Sequence, residues 1–425
     1  MTPAVRVVLA FVLACLGMSA VAAPAPSTAA TSPSSDPFYS YSGSVPLRDH
    51  TLGTVLDRRV ITHHLAGLPL PQRVTQVLYR TQDTQGEPTA TVATVIPPLT
   101  KVFAKPRLVS YQFAYDAVGE ACNPSYAYSG GFSLPGQINS GEQAAVVGYL
   151  LSGYTVVVSD YEGQDMHFGA GRESGVQTLD GIRAAVNSAA YGLSRTTPIA
   201  LVGYSGGSIA TEWAVEQAPV YAPEVNSRLV GAAMGGTPTD LEHLLSYIDG
   251  SFLWAGAIPL GLTGLARAYD IDLDPYTNDY GKQVLARTSN QCISQVLGVY
   301  AGLRFADLMK PQYGSFAKIP PLAKVREQVV MGRAGTPTAP LLFAVGKLGN
   351  TGDGIIVTKD VKDLATDYCG RGTSVRYQQY DGLEHVGGMV AFVPHAMAWI
   401  SQRFASDGRS RSDSCASLLA GRDAG

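Results

Sequence analysis

The stretch from Pro198 to Gln217 (PIALVGYSGGSIATEWAVEQ) constrains what this chain can fold into more than any other. Ile199 to Val202 is a short apolar run that reads as a buried strand, and it enters Gly203-Tyr204-Ser205-Gly206-Gly207, a G-x-S-x-G sequence. Good helix formers follow, with Ile209, Trp213 and Ala214 at helical spacing. Strand, sharp turn and helix are the setting in which a serine is presented as a nucleophile. The glycines admit a strained turn that larger side chains would block. The helix N-terminus behind the serine favours an anion forming there. In a chain with 46 glycines the bare motif is weak, and an incidental glycine turn is the competing reading. The flanking strand and helix give the motif its weight.

The rest of the chain alternates around this unit. Val74–Arg80 and Ala90–Ile96 read as a hairpin around Gly86, closed by Pro97-Pro98. His63-His64 precedes it and is assigned a surface or packing role, since no partner ligands are placed by the sequence. Arg107–Phe113 is the next strand, leading into Tyr115-Asp116-Ala117. Further elements are a helix over 140–152, a nearly continuous apolar strand over 154–159 ending in Asp160-Tyr161-Glu162-Gly163, and a helix over 179–190. Leu229 to Gly236 reads as a strand, as do Ala339–Val345 and Ser374–Tyr380, with a last helix over 392–404. This order predicts an α/β protein with a doubly wound, mostly parallel sheet.

The alternation stops between 237 and 336. Helices are expected there over 241–247, 252–265 and 296–303, forming a helical cap inserted between the two parts of the core, 37–236 and 337–425. Phe252-Leu253-Trp254 and the 258–262 run line either an oily pocket or the core of the cap itself.

The N-terminus reads as a targeting signal: Arg6, an apolar run over 7–18 too short to span a bilayer, and Ala20-Val21-Ala22 as a small-x-small cleavage site. Residues 1–22 are thus a signal peptide and 23–36, rich in Pro, Ser, Ala and Thr, a flexible leader. The alternative of lipid anchoring through Cys15 has only a poor motif in Val12-Leu13-Ala14. A secreted chain would carry Cys122, Cys292, Cys369 and Cys415, an even number that fits two disulfides in any of three pairings and no C-x-x-C metal site. A net charge of −3 gives no footprint for nucleic acid or an anionic membrane, and no later stretch looks like a transmembrane helix. The expectation is a monomer that needs no metal or cofactor.

A serine hydroxyl needs a base, and the base needs a carboxylate to fix its tautomer, in the chain order serine, acid, histidine. Of the histidines after Ser205, His243 lies in the insertion and His395 in the last helix. His385 sits in a glycine-flanked loop past a strand end, where the sites of open α/β sheets collect, and is assigned as the base. Asp353, in the loop after strand 339–345, is the favoured acid, with Asp360 and Glu384 as rivals. The oxyanion needs donors. The Gly206 N–H is one by construction of the turn, and the loop holding Asp116 is the expected source of the second. An aspartate fits beside an anion only if it is protonated or acts through its backbone N–H.

These features together resemble the secretory lipases of fungi and bacteria that include Candida antarctica lipase A. The resemblance rests on the Tyr79-Arg80-Thr81 hairpin, Tyr111-Gln112-Phe113 with Asp116, Cys122-Asn-Pro-Ser-Tyr126, Asp160-Tyr-Glu-Gly163, Leu179–Ala185, the serine turn and the block from Asp353 through Cys369 to His385. It implies an α/β-hydrolase with a helical cap over an acyl tunnel, a Ser205-Asp353-His385 triad, and an oxyanion hole from Gly206 and Asp116. It also implies the pairings Cys122–Cys292 and Cys369–Cys415. One departure stands in the acid loop, where Val357 falls one place late and Thr358 replaces a proline. The function expected is a lipase-type ester hydrolase on triacylglycerol or other lipid-like esters, at a lipid–water interface. A short-chain esterase or acyltransferase, and an inactive hydrolase fold used for binding, remain alternatives.

Overall fold

The computed structural model describes residues 30–131, 137–406 and 414–422; the expected signal peptide and residues 23–29 lie outside it. The strands are β1 Val55–Leu65, β2 Leu68–Gln82, β3 Pro88–Ile96, β4 Leu108–Gln112, β5 Thr155–Ser159, β6 Ile199–Tyr204, β7 Leu229–Gly235, β8 Leu341–Lys347 and β9 Val375–Asp381. They form one sheet in the order β1-β2-β3-β5-β4-β6-β7-β8-β9. From β5 to β9 neighbours run parallel, while β1, β2 and β3 form an antiparallel flap joined to β5. β4, β5 and β6 are buried at every residue, which is why they read as unbroken apolar runs rather than alternating ones.

Helices of eight residues or more join these strands. α1 (Gln137–Leu151) links β4 to β5, α2 (Gly171–Asn187) links β5 to β6, and α3 (Gly206–Tyr221) links β6 to β7. Between β7 and β8 come α4 (Leu241–Ile248), α5 (Ala257–Ala268) and α6 (Asp279–Thr288) with shorter turns. α7 (Thr358–Gly370) links β8 to β9, and α8 (His385–Ala405) and α9 (Cys415–Arg422) follow. Tyr149 and Leu150 of α1 and Phe392, Trp399 and Ile400 of α8 pack with Val109, Val156 and Val202 on one face of the sheet. Leu179 and Ile182 of α2, Trp213 of α3 and Leu364 of α7 pack with Leu108, Val157 and Leu201 on the other. Each such side chain taken from water stabilises by about 1.5–3 kcal/mol. Helices on both faces of a mostly parallel sheet make this an α/β-hydrolase fold. No helix among the described residues is long and apolar enough to cross a membrane.

The sheet order places the site. β4 has β5 on one side and β6 on the other, so successive crossovers leave it in opposite directions. A crevice opens at such a switch point, beyond the carboxyl ends of the strands. Gln112 at the end of β4 pairs with Gly203 near the end of β6. The turns holding Asp116 and Ser205 therefore leave the sheet side by side.

Several elements differ from the sequence expectation. β1 carries Asp57, Arg58 and Arg59 and turns into β2 through Ala66 and Gly67, both at positive φ (50° and 77°). Its half-exposed, charged edge lacks an apolar alternation. His63 is buried in it, with Nδ1 2.7 Å from Gln72 and its ring on Tyr128, a packing role. Residues 30–36, assigned to the flexible leader, pack on the core: Pro33 is buried and Asp36 pairs with Arg59, whose guanidinium lies 4.1 Å from the Phe38 ring centre. α2 begins eight residues before its expected start. In the insertion the helix expected over 252–265 is α5, which starts at Ala257, and that expected over 296–303 is a single turn, Ile293–Val296. Gly298 and Gly302, both at positive φ, divert the chain beyond that turn. α6, polar overall with a short buried face of Gly281, Val284 and Thr288, is a helix the sequence reading does not include.

Candidate active site

The serine turn stores strain. Ser205 sits at φ 51° and ψ −126°, a conformation that costs a non-glycine residue about 1–3 kcal/mol and persists only where packing imposes it. Its N–H donates to Gly235 O at 2.8 Å. A Cβ on Gly207 would stand 2.1 Å from Gln112 O, so only glycine lets α3 approach the end of β4.

His385 Nε2 lies 2.8 Å from Ser205 Oγ, and His385 Nδ1 lies 2.8 Å from Asp353 Oδ2. The Asp353 carboxylate is fully buried and its Oδ1 accepts from the Ile355 and Ile356 amides at 3.1 and 2.7 Å. The His385 N–H donates to Asp353 O at 2.9 Å, and Tyr204 OH donates to His385 O at 2.6 Å. The backbone as well as the side chains thus locks base to acid.

The structure moves His385 from the expected loop to the first residue of α8, seven residues before the predicted helix start. Glu384 is the N-cap, accepting from the Val386 and Gly387 amides at 2.8 and 2.6 Å. Its rivalry for the acid position ends there. Asp360 instead pairs with the exposed His243 at 3.2 Å, and His395 lies 2.9 Å from Tyr380 OH. Thr358, at the position where the resemblance leads one to expect proline, is the first residue of α7, a place that suits proline. Its hydroxyl donates to Gly346 O at 2.8 Å and closes the acid loop another way.

On the opposite side of Ser205 stands Asp116, at φ 39°. Its carboxyl is so close that a Cβ on Gly206 would fall 1.5 Å from Oδ1. Oδ1 is buried and has no hydrogen-bond partner among the described residues. Burial pushes the Asp116 carboxyl up to about 7, while the His385 charge and the Gly206 amide pull the other way. Near neutrality, and more so in mild acid, the group holds its proton and can donate.

Three buried acids that the sequence reading left without a role lie around this turn, two of them bonded to it. Glu142 of α1 accepts from the Ala114 amide at 2.6 Å and Glu162 from the Ala117 amide at 3.2 Å. Asp160 accepts from the Ser125 amide at 3.0 Å and from its hydroxyl. Tyr161 OH donates to Phe113 O, and Tyr115 OH accepts from the Glu162 amide at 2.6 Å. Burial raises all three carboxyls, Asp160 to about 7 and the two glutamates well above the usual range. The sequence signal was the run Asp160-Tyr161-Glu162 just past β5, where a strand end offers acids to a neighbouring loop; Glu142 carried none.

The insertion is tied to the same turn. Cys122 and Cys292 form a disulfide, the Ile293 amide donates to Asp116 O at 3.0 Å, and the Val118 amide donates to Gln291 O at 2.9 Å. Cys369 and Cys415 form a second disulfide, joining α7 to α9. Ile258, Leu260 and Leu262 are buried in the same core cluster as Leu179, Ile182 and Trp213, whereas the Trp254 ring reaches His385. A cleft of about 740 Å³ on the flank, bordered by Asp83, Asp165, Arg267 and Asp270, includes none of Ser205, Asp353 or His385 and is not the ester site.

A serine on a strained strand–helix turn, a histidine against it and a buried aspartate behind define the class as α/β-hydrolase. Comparison with known proteins narrows it. Residues 134–411 match the secretory lipase family. A probable inactive lipase of Mycobacterium tuberculosis is 35% identical over 382 residues, covering 88% of this chain and 82% of that protein. Lipase 10 of Candida albicans is 33% identical over 397 residues, covering 88% and 82%. The X-ray structure of Candida antarctica lipase A aligns with a TM-score of 0.82 at 29% identity, covering 91% of this chain and 89% of that one. The chain belongs to the secretory lipase family.

Proposed function

We propose that the protein is a secreted serine carboxylic-ester hydrolase of lipase type, acting on triacylglycerol or other lipid-like esters through an acyl-enzyme. The observation that carries this reading is the unbroken hydrogen-bonded line Ser205 Oγ, His385, Asp353, at 2.8 Å per step. His385 Nε2 takes the proton of Ser205 Oγ as the oxygen attacks the ester carbonyl. The tetrahedral oxyanion faces the Gly206 N–H and the protonated Asp116 carboxyl. As the C–O bond to the alcohol breaks, His385 returns the proton to the leaving oxygen. Water then repeats the sequence on the acyl-enzyme. Asp353 stays ionised, fixing the tautomer and offsetting the charge on the imidazolium.

The insertion acts as a cap in this reading. Trp254 of the insertion beside His385, the exposed Phe252 and Leu253 just before it, and the exposed Val386 next to His385 in α8 suit an oily substrate met at a lipid–water interface. Two disulfides suit an oxidising, extracellular setting.

Hydrolysis of a p-nitrophenyl ester by wild type and by Ser205→Ala tests the reading. The expected loss is about 10⁵- to 10⁶-fold in kcat, the scale for a serine hydrolase without its nucleophile. Activity surviving the substitution would sink it. A second reading, binding without turnover, is favoured by the relative named a probable inactive lipase. Labelling of Ser205 by an alkyl fluorophosphonate excludes that reading; an unlabelled, inert serine supports it.

A further inference from the structure

In acyl transfer the two halves of an ester part on different sides of the serine. The acyl carbon stays on Ser205 Oγ with its oxygen towards Gly206. The alcohol oxygen must accept the proton of His385 Nε2, so it leaves along the imidazole. A group that borders the imidazole on its solvent side can therefore border the alcohol.

Two aromatic rings border it. Tyr204, at the end of β6, lies 5.1 Å away with a tilt of 45°. It is 2% exposed, and its hydroxyl is bonded to His385 O. Trp254 of the insertion stands edge-to-face at 5.4 Å and 85°. Its Nε1 would lie 3.6 Å from a Cβ on Gly354, so the indole spans from the histidine to the turn that carries Asp353. Tyr204 is fixed in the core. Trp254 is only partly buried and follows the exposed Phe252 and Leu253. Its backbone is nevertheless held: its N–H donates to Ser251 Oγ at 3.0 Å, its carbonyl accepts from Ala257 at 2.9 Å, and Leu253 O accepts from Gly298 at 2.9 Å. An indole carried on an anchored backbone, at the boundary between His385 and solvent, is placed to sort what passes.

We propose that Trp254 is the specificity-determining wall of the alcohol side, and that the leaving alcohol departs to solvent beneath residues 252–254. The inference rests on the Ser205–His385 reading given above. The chemistry is balanced within that reaction: the Oγ–C bond forms, the C–O bond to the alcohol breaks, and the Oγ proton reaches the alcohol oxygen through Nε2.

The test compares wild type, Trp254→Ala and Trp254→Phe in the full chain on two ester series. One holds the acyl group as butyryl and varies the alcohol from ethanol to cyclohexanol to menthol. The other holds the alcohol as ethanol and varies the acyl group from acetyl to octanoyl. Trp254→Ala is expected to raise kcat/KM for the menthyl over the ethyl ester by about tenfold or more, the size of effect that pocket shape gives. The acyl ranking stays as in wild type, and Trp254→Phe falls between. An unchanged alcohol ranking, or an equal change in both series, overturns the proposal. So does an unchanged alcohol ranking accompanied by a lower melting temperature, since packing alone would produce that. Trp254→Phe supplies the same comparison if the alanine variant does not fold. Hydrolysis of either series by Ser205→Ala removes the underlying reading and this inference together. Ser205-dependent hydrolysis with unaltered alcohol ranking removes this inference alone.

Discussion

The two sides of Ser205 are built on different principles. On the base side, Asp353 lies in the loop after β8 and His385 opens α8 just past the neighbouring strand β9, and they meet through a direct bond of 2.8 Å plus a backbone bond of 2.9 Å. Asp353 is stabilised as a carboxylate by two amides. On the oxyanion side, Asp116 has an orphaned oxygen and a raised pKa, on a turn braced by Glu142 and Glu162, whose pKa values burial also raises. One side stabilises a charge; the other suppresses one. At Asp353 two amides meet one carboxyl oxygen, whereas at Asp116 burial outweighs the opposing pull of the Gly206 amide.

Four substitutions at three positions sharpen or break this contrast. Asp353→Asn should have the largest effect, about 10⁴-fold in kcat with little change in KM, because an amide holds the wrong tautomer of the base. A variant retaining a tenth of wild-type kcat would place the acid elsewhere. Asp116→Ala should cost about 10²- to 10³-fold, the scale of one lost oxyanion donor. Asp116→Asn separates charge from donation. The wild type needs the protonated acid, so its kcat should fall as pH rises through about 7, where the Asp116 carboxyl loses its proton. The asparagine amide donates at every pH, so that alkaline fall should vanish while activity below pH 6 stays within about tenfold of wild type. A pH–rate profile with the same alkaline limb in both proteins would show that Asp116 is not the group responsible. Glu384→Ala should be the mildest. It removes a cap worth about 1 kcal/mol, lowers the melting temperature by a few degrees and leaves kcat within about threefold. A loss comparable to that of Asp353→Asn would return Glu384 to the acid position.

The base side was legible in the sequence and the oxyanion side mostly was not. Ser205, Asp353 and His385 each lie beside glycines at a strand end and appear in chain order, so linear spacing carries the information. Helix placement was less visible. His385 opens α8 because Glu384 caps it, and a glycine pair at 387–388 hides a helix start from propensity. The bracing of Asp116 comes from α1, from the loop after β5 and from backbone amides, which no side-chain pattern announces. The parallel core strands were readable as buried apolar runs. β1 was not, because a charged edge strand has neither that run nor a clean alternation.

The bond between Cys122 and Cys292 spans 170 residues of sequence. Seen along the time axis of synthesis, this orders when the protein acquires competence. A growing chain that has passed Ser205 holds a nucleophile, but neither the clasp on the Asp116 turn nor a base. The clasp arrives with Cys292 and its oxidation, and His385 follows later still. A nascent or truncated chain therefore lacks His385 until all but about its last tenth has emerged, and the clasp waits for the oxidation of Cys122 and Cys292.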